Sequence, residues 1–144
     1  MTEITFHFNV ADPMAYACRM LRKAVRGGAR PVVTGSEDTL NRLDRELWAF
    51  DPVSFVPHAR VRAGAALGGR LQQTPVWLAD DAAAIDRHEV LVNLGGERPP
   101  VGFGSFARLH EVVSTADADR VSARLRWKHY KERGYAIVDH AARE

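Results

Sequence analysis

Apolar residues in this chain switch repeatedly between two spacings, every second position and every third or fourth, and that switching restricts it to strands alternating with helices. Glu3 to Asn9 sets Ile4, Phe6 and Phe8 against Thr5 and His7, the period of a strand. Asp12-Pro13 supplies an N-cap and a proline for the first helical turn. The helix it opens runs through Tyr16, Met20, Leu21 and Val25 and stops at Gly27-Gly28. Pro31 to Thr34 reads as a second strand, and Ser36 caps a helix carrying Leu40, Leu43, Leu47 and Trp48 until Asp51-Pro52 ends it.

Val53 to Thr74 reads as a loop-rich stretch, with Gly64 to Arg70 as a surface loop inside it. Pro75 to Ala79 and Glu89 to Leu94 read as buried strands, Gly95 to Gly104 as a Gly/Pro loop, and Leu109 to Ser114 as a further strand. A long helix is expected from about Asp117 to Arg133, closed by Gly134, with a last strand over Tyr135 to Val138 and a short polar tail. Helices between strands imply a mostly parallel sheet covered on both faces. No repeat or linker divides the chain, so residues 1–144 are expected to form a single α/β domain.

With 46% hydrophobic and 26% charged residues, the chain has the balance of a globular protein. Its apolar runs are too short for a membrane span, and the N-terminus has no secretory pattern. Cys18 is the one cysteine, so an intramolecular disulfide is impossible and a reducing, cytoplasmic setting is expected. A net charge of +2 is too small for a protein that binds nucleic acid over its whole surface.

The motifs of an active site are missing at each place where an α/β fold would carry them. The turn Val10-Ala11-Asp12-Pro13 has no glycine to admit a pyrophosphate, and Gly64 to Arg70 lacks the ending of a phosphate loop. The six histidines show no metal-ligand spacing, and His7 and His110 read as hydrogen-bonded structural residues within strands. Cys18 has no neighbouring base, and Asp80-Asp81 reads as a solvated turn. Neither cofactor nor metal is expected. A nucleotide-using α/β enzyme stays as a rival reading, separable by a cofactor's effect on thermal melting.

The long helix near the C-terminus carries the strongest signal. Between Asp117 and Gly134 six cations stand against three carboxylates, a net of +3 that exceeds the charge of the whole chain. Arg120, Arg124, Trp127 and Lys131 follow one another at four, three and four residues, which stacks them on one face roughly 16 Å long, with Lys128 bordering it. Val121 and Leu125 lie to one side and are expected to anchor the helix to the sheet. Three readings stand side by side: a solvated basic face with Trp127 in the core, a cleft for a short acidic ligand gripped by guanidinium groups, and a single-stranded nucleic-acid site. A second unusual stretch runs from Asp44 to His58, where Trp48 and Phe55 flank a Pro-bracketed loop. They serve either as a core plug or as an exposed aromatic patch of an interface.

Together these stretches resemble the chi subunit family of bacterial DNA polymerase III. The resemblance is carried by the opening Thr-Phe strand, by Leu-Trp-Ala…Ser-Phe-Val-Pro-His at 47–58, and by Arg-x-Arg-Trp-Lys-x-Tyr-Lys-x-x-Gly at 124–134. It implies a three-layer α/β/α, Rossmann-like fold without nucleotide chemistry and a non-catalytic, replisome-associated adaptor. The implied partners are the acidic C-terminal tail of single-stranded DNA-binding protein and the psi subunit of the clamp loader, with DNA reached only indirectly and no membrane. By resemblance the tail site uses Val113, Arg120, Arg124, Trp127, Lys128 and Lys131. Arg124 takes the terminal carboxylate, Val113 and Trp127 wall the pocket for the last aromatic residue, and the other cations face aspartates. Trp48 and Phe55 match positions used against psi or a competing helicase. Trp127 replaces a frequent tyrosine, and Arg120 and Lys131 exchange Lys and Arg, so charge is kept.

Overall fold

The computed structural model describes residues 1–50, 55–62, 73–82 and 85–142. Its frame is a seven-stranded sheet in the order β3-β4-β2-β5-β6-β1-β7, every neighbouring pair parallel. The strands are β1 (Glu3–Val10), β2 (Val32–Thr34), β3 (His58–Val61), β4 (Val76–Ala79), β5 (Val90–Asn93), β6 (Arg108–Ser114) and β7 (Ile137–Ala141). Among the described residues the α-helices are α1 (Pro13–Arg26), α2 (Glu37–Ala49) and α3 (Asp117–Glu132). "Mostly parallel" therefore becomes wholly parallel.

The order of strands explains the three layers. From β1 the chain moves to β2 and on to β3 in one direction across the sheet, then returns through β4, β5 and β6 to β7 in the other. Right-handed crossovers made in opposite directions fall on opposite faces. Accordingly α1 and α2 bury Met14, Cys18, Leu21, Leu40, Leu43 and Leu47 against Val33, Val92 and Val112. Helix α3 buries Ala123 and Tyr130 with Ile4, Phe6, Leu109 and Val113 on the reverse face. Central strands covered on both sides need continuous apolar sequence, and β4, with Val76, Trp77, Leu78 and Ala79 all buried, has it.

The caps sit where the sequence places them. Asp12 accepts a hydrogen bond from the Ala15 amide (3.1 Å) and Ser36 one from the Thr39 amide (3.2 Å), each relieving an orphan donor of a helix start. Two expectations need correction. The stretch from Val53 to Thr74 is not loop alone: β3 lies within it, an edge strand of sequence His-Ala-Arg-Val without an apolar pattern, held by the β4 ladder and by Arg60 donating to the Leu78 carbonyl (2.9 Å). The Asp51-Pro52 stop and the Gly64 to Arg70 loop lie outside the described residues. The last strand begins at Ile137 rather than Tyr135, because Gly134 (φ 82°) and the bond from the Tyr135 amide to the Tyr130 carbonyl (3.1 Å) still belong to the helix ending. It runs on to Ala141, through what reads in the sequence as tail.

Candidate functional site

Helix α3 begins with Asp117 and Asp119 and ends with His129 and Lys131, charges that suit its dipole at both ends. The side chains that fasten it to the sheet are Ala123, Arg126 and Tyr130, spaced at three and four residues. Val121 and Leu125, expected to be the anchors, are 55% and 54% exposed. The reason lies on β6, where Glu111 faces α3 from inside the core. Arg126 Nε donates to Glu111 Oε2 (3.1 Å), Tyr130 donates to the same oxygen (2.7 Å), and Asn93 Nδ2 donates to Oε1 (2.9 Å). Arg126 Nη1 also donates to the Gly96 carbonyl, and Thr34 donates to Asn93 (3.0 Å). Burial, then the neighbouring carboxylate, push the Tyr130 hydroxyl above the ordinary tyrosine range. One of the six cations counted on this helix is thus spent inside the protein.

The flank of α3 next to Ala123 borders a groove of about 330 Å³, lined by Phe6 and Phe8 of β1, Val113 of β6, Asp139 of β7, and Arg120, Ala123, Arg124 and Trp127 of the helix. Its floor is apolar, and the small Ala123 leaves room between Val113 and Trp127 where a larger residue would fill it. Arg120 and Arg124 are exposed, and among the described residues neither guanidinium group has a hydrogen-bond or ion-pair partner. Trp127 is half-buried, its indole Nε1 donating to Asp139 Oδ1 (3.3 Å). Four of the six residues assigned to the tail site by resemblance, Val113, Arg120, Arg124 and Trp127, therefore line one cavity. The other two stand outside it: Lys131 lies 5.9 Å from the Trp127 ring centroid, and exposed Lys128 lies 3.9 Å from Glu132. Sequence reading missed Phe8, and it missed Asp139, which reaches the groove because β7 pairs beside β1. The alternation in β1 marks Phe8 as sharing a face with Phe6, and that signal was present.

Trp48 and Phe55 form an exposed patch rather than a core plug. They are 65% and 43% exposed and stack on each other with ring centroids 4.8 Å apart. His58 supports them from below, edge-on to Trp48 at 5.4 Å, with Nδ1 on the Val56 carbonyl (2.8 Å) and Nε2 2.8 Å from Asp44. A rigid aromatic pair open to solvent is the usual anchor of a protein interface.

The other candidates have structural occupations. A crevice of about 660 Å³ opens at the C-terminal ends of β2, β4 and β5, the place where an α/β sheet commonly holds a ligand. Asp80, Asp81 and Asp119 on its rim oppose a phosphate, Asp80 is paired with Arg60 (3.1 Å), and Asp119 accepts from the Ser114 amide (2.7 Å). His7 links the Tyr16 hydroxyl (2.7 Å) to His110 (2.9 Å). Burial, followed by His110 and His140, lowers its pKa to about 4, and burial likewise lowers that of His110. Cys18 is buried in α1 with its thiol pushed up to about 11, chiefly by burial, the reverse of an activated nucleophile. Among the described residues no cluster could hold a metal ion, and no helix is long and apolar enough to cross a membrane.

Comparison with known proteins bears on the whole chain. The family model described as DNA polymerase III chi subunit, HolC, matches residues 1–138. A protein of Pseudomonas aeruginosa named DNA polymerase III subunit chi is 33% identical over 146 residues, covering 97% of this chain and 96% of that one. Its namesake in Haemophilus influenzae is 30% identical over 127 residues, covering 84% and 81%. Among solved structures, the C-terminal domain of the DEAD-box protein Dbp5 superposes with a TM-score of 0.58 at 11% identity, covering 98% of this chain and 90% of that domain. That likeness is one of fold alone.

Proposed function

The chain belongs to the DNA polymerase III chi subunit family, and from that premise we propose that it is a non-catalytic, cytoplasmic adaptor that holds the acidic C-terminal tail of single-stranded DNA-binding protein in the α3 groove. The observation that carries this reading is the pairing of two guanidinium groups without partners among the described residues, Arg120 and Arg124, with an apolar notch between Val113 and Trp127. A guanidinium grips a carboxylate bidentately, and the notch accepts the ring of a terminal aromatic residue. Lys128 and Lys131, on the rim, extend the positive field towards aspartates further up the tail. The exposed Trp48–Phe55 pair serves the second contact, with the psi subunit of the clamp loader or a helicase competing for that surface. Two weak contacts within one assembly make re-engagement effectively intramolecular, which concentrates the polymerase machinery at coated single-stranded DNA.

A short tail buries little area, so micromolar affinity, about −8 kcal/mol, is expected, weakening with salt as exposed charges are screened. Titration of a labelled acidic peptide ending in Phe with a free carboxylate tests the site. Arg124→Ala should weaken binding about tenfold or more, in line with loss of a charged hydrogen-bonding partner. Equal binding by wild type and Arg124→Ala would remove the groove from consideration. A gel shift of bare single-stranded DNA at similar protein concentrations, with a steep salt slope, would favour direct nucleic-acid binding instead.

A further inference from the structure

Among the described residues lining the α3 groove, Asp139 is the only carboxylate, an exposed one that comes from β7 whereas the cations come from α3. It reaches the groove from the edge strand β7, in register with Phe6 of β1, beside exposed Phe8. No cation neutralises it among the described residues: its recorded partner is the neutral indole N–H of Trp127 (3.3 Å). The cavity is thus polarised across its width, with guanidinium groups on the helix wall and a carboxylate on the strand wall.

We infer that Asp139 determines which acidic peptides the groove accepts, by excluding a carboxylate from the residue immediately before the terminal aromatic one. The inference rests on the tail-binding reading above. With the terminal carboxylate on Arg124 and the ring over Ala123, the preceding residue follows within one residue's reach, about 3.5 Å, and still lies inside the cavity. There its side chain meets the β1–β7 wall, where Phe8 offers an apolar surface and Asp139 a like charge. An apolar residue is accepted at that position and an aspartate is repelled, so the acidic residues of the ligand are confined to positions further back, outside the groove. Asp139 also fixes the plane of the indole through its hydrogen bond. Because an Asn side-chain oxygen can accept the same bond, Asp139→Asn removes the charge and leaves the ring held.

Fluorescence anisotropy with the full chain tests this, using two labelled hexapeptides that share an acidic N-terminal half and end in Ala-Phe or in Asp-Phe. Near about 50 mM salt, where the screening length is long enough for the charges to be felt, wild type should prefer the Ala-Phe peptide by about fivefold. Asp139→Asn should reduce that preference to within about twofold by strengthening the Asp-Phe peptide, a gain that mere damage to the site would not produce. Arg124→Ala should weaken both. If Asp139→Asn leaves the ratio unchanged, or wild type prefers Asp-Phe, the inference is overturned while the Arg124 loss still upholds the tail site. If neither peptide binds wild type, the tail-binding reading itself falls and the selectivity with it.

Discussion

Protonation of His7 is disfavoured in the folded chain, because its ring is partly buried and faces His110 on β6, His140 on β7 and the Tyr16 hydroxyl on α1, with Arg108 adding positive charge beside His110. Its pKa falls from the ordinary histidine value of 6.5 to about 4, so between those values the unfolded chain takes up more protons than the folded one. The stability that a neutral His7 gives is complete above about pH 6.5 and is lost as pH falls towards 4. Urea midpoints measured at pH 7 and pH 5 should therefore fall for wild type, and fall less for His7→Gln. Residue types alone foretold that His7 and His110 are bonded structural residues. They did not foretell that Arg124 and Arg126, two positions apart, have opposite fates, one open to solvent and one sealed against Glu111.

At the scale of elements, α3 is fastened by a buried ionic network where apolar anchoring was expected. Replacing Arg126 by Met leaves Glu111 as an uncompensated buried charge, which should cost about 3–5 kcal/mol of stability. Leu125→Ala, on the exposed flank, should change stability by less than about 0.5 kcal/mol. Denaturant unfolding of the two variants separates these expectations, and a large loss at Leu125 would restore the apolar anchoring. The caps of α1 and α2, the course of α3 and the strands β1, β2, β4, β5 and β6 were legible because each is set by a local rule of capping, periodicity or turn chemistry, whereas β7 lies at Ile137–Ala141 rather than Tyr135 to Val138. Strand β3 was not legible, since an edge strand buries little and so need not carry an apolar pattern.

For the whole molecule, the α3 groove lies at the β7 side of the sheet and the Trp48–Phe55 pair at the β3 side. Six strand spacings separate the two edges, about 29 Å. Contacts that far apart with no shared residues should act independently. Trp48→Ala should leave the affinity for an acidic tail peptide unchanged within error while abolishing capture of the psi subunit or the competing helicase. A change of more than about threefold in peptide affinity would show that the two ends are coupled.

The alternation of strands and helices, the layered α/β class and the basic face of the last helix follow from the order of residues alone, because periodicity and charge spacing are written locally. The resemblance to one family points to four of the residues that line the groove, Val113, Arg120, Arg124 and Trp127, and not to Phe8 or Asp139. Which cations of α3 are sealed inside and which face solvent depends on long-range packing, since Glu111 meets Arg126 from β6, a separate element. The same holds for Asp139, brought to the groove beside Phe6 by a pairing of β1 with β7 across roughly 130 residues of chain.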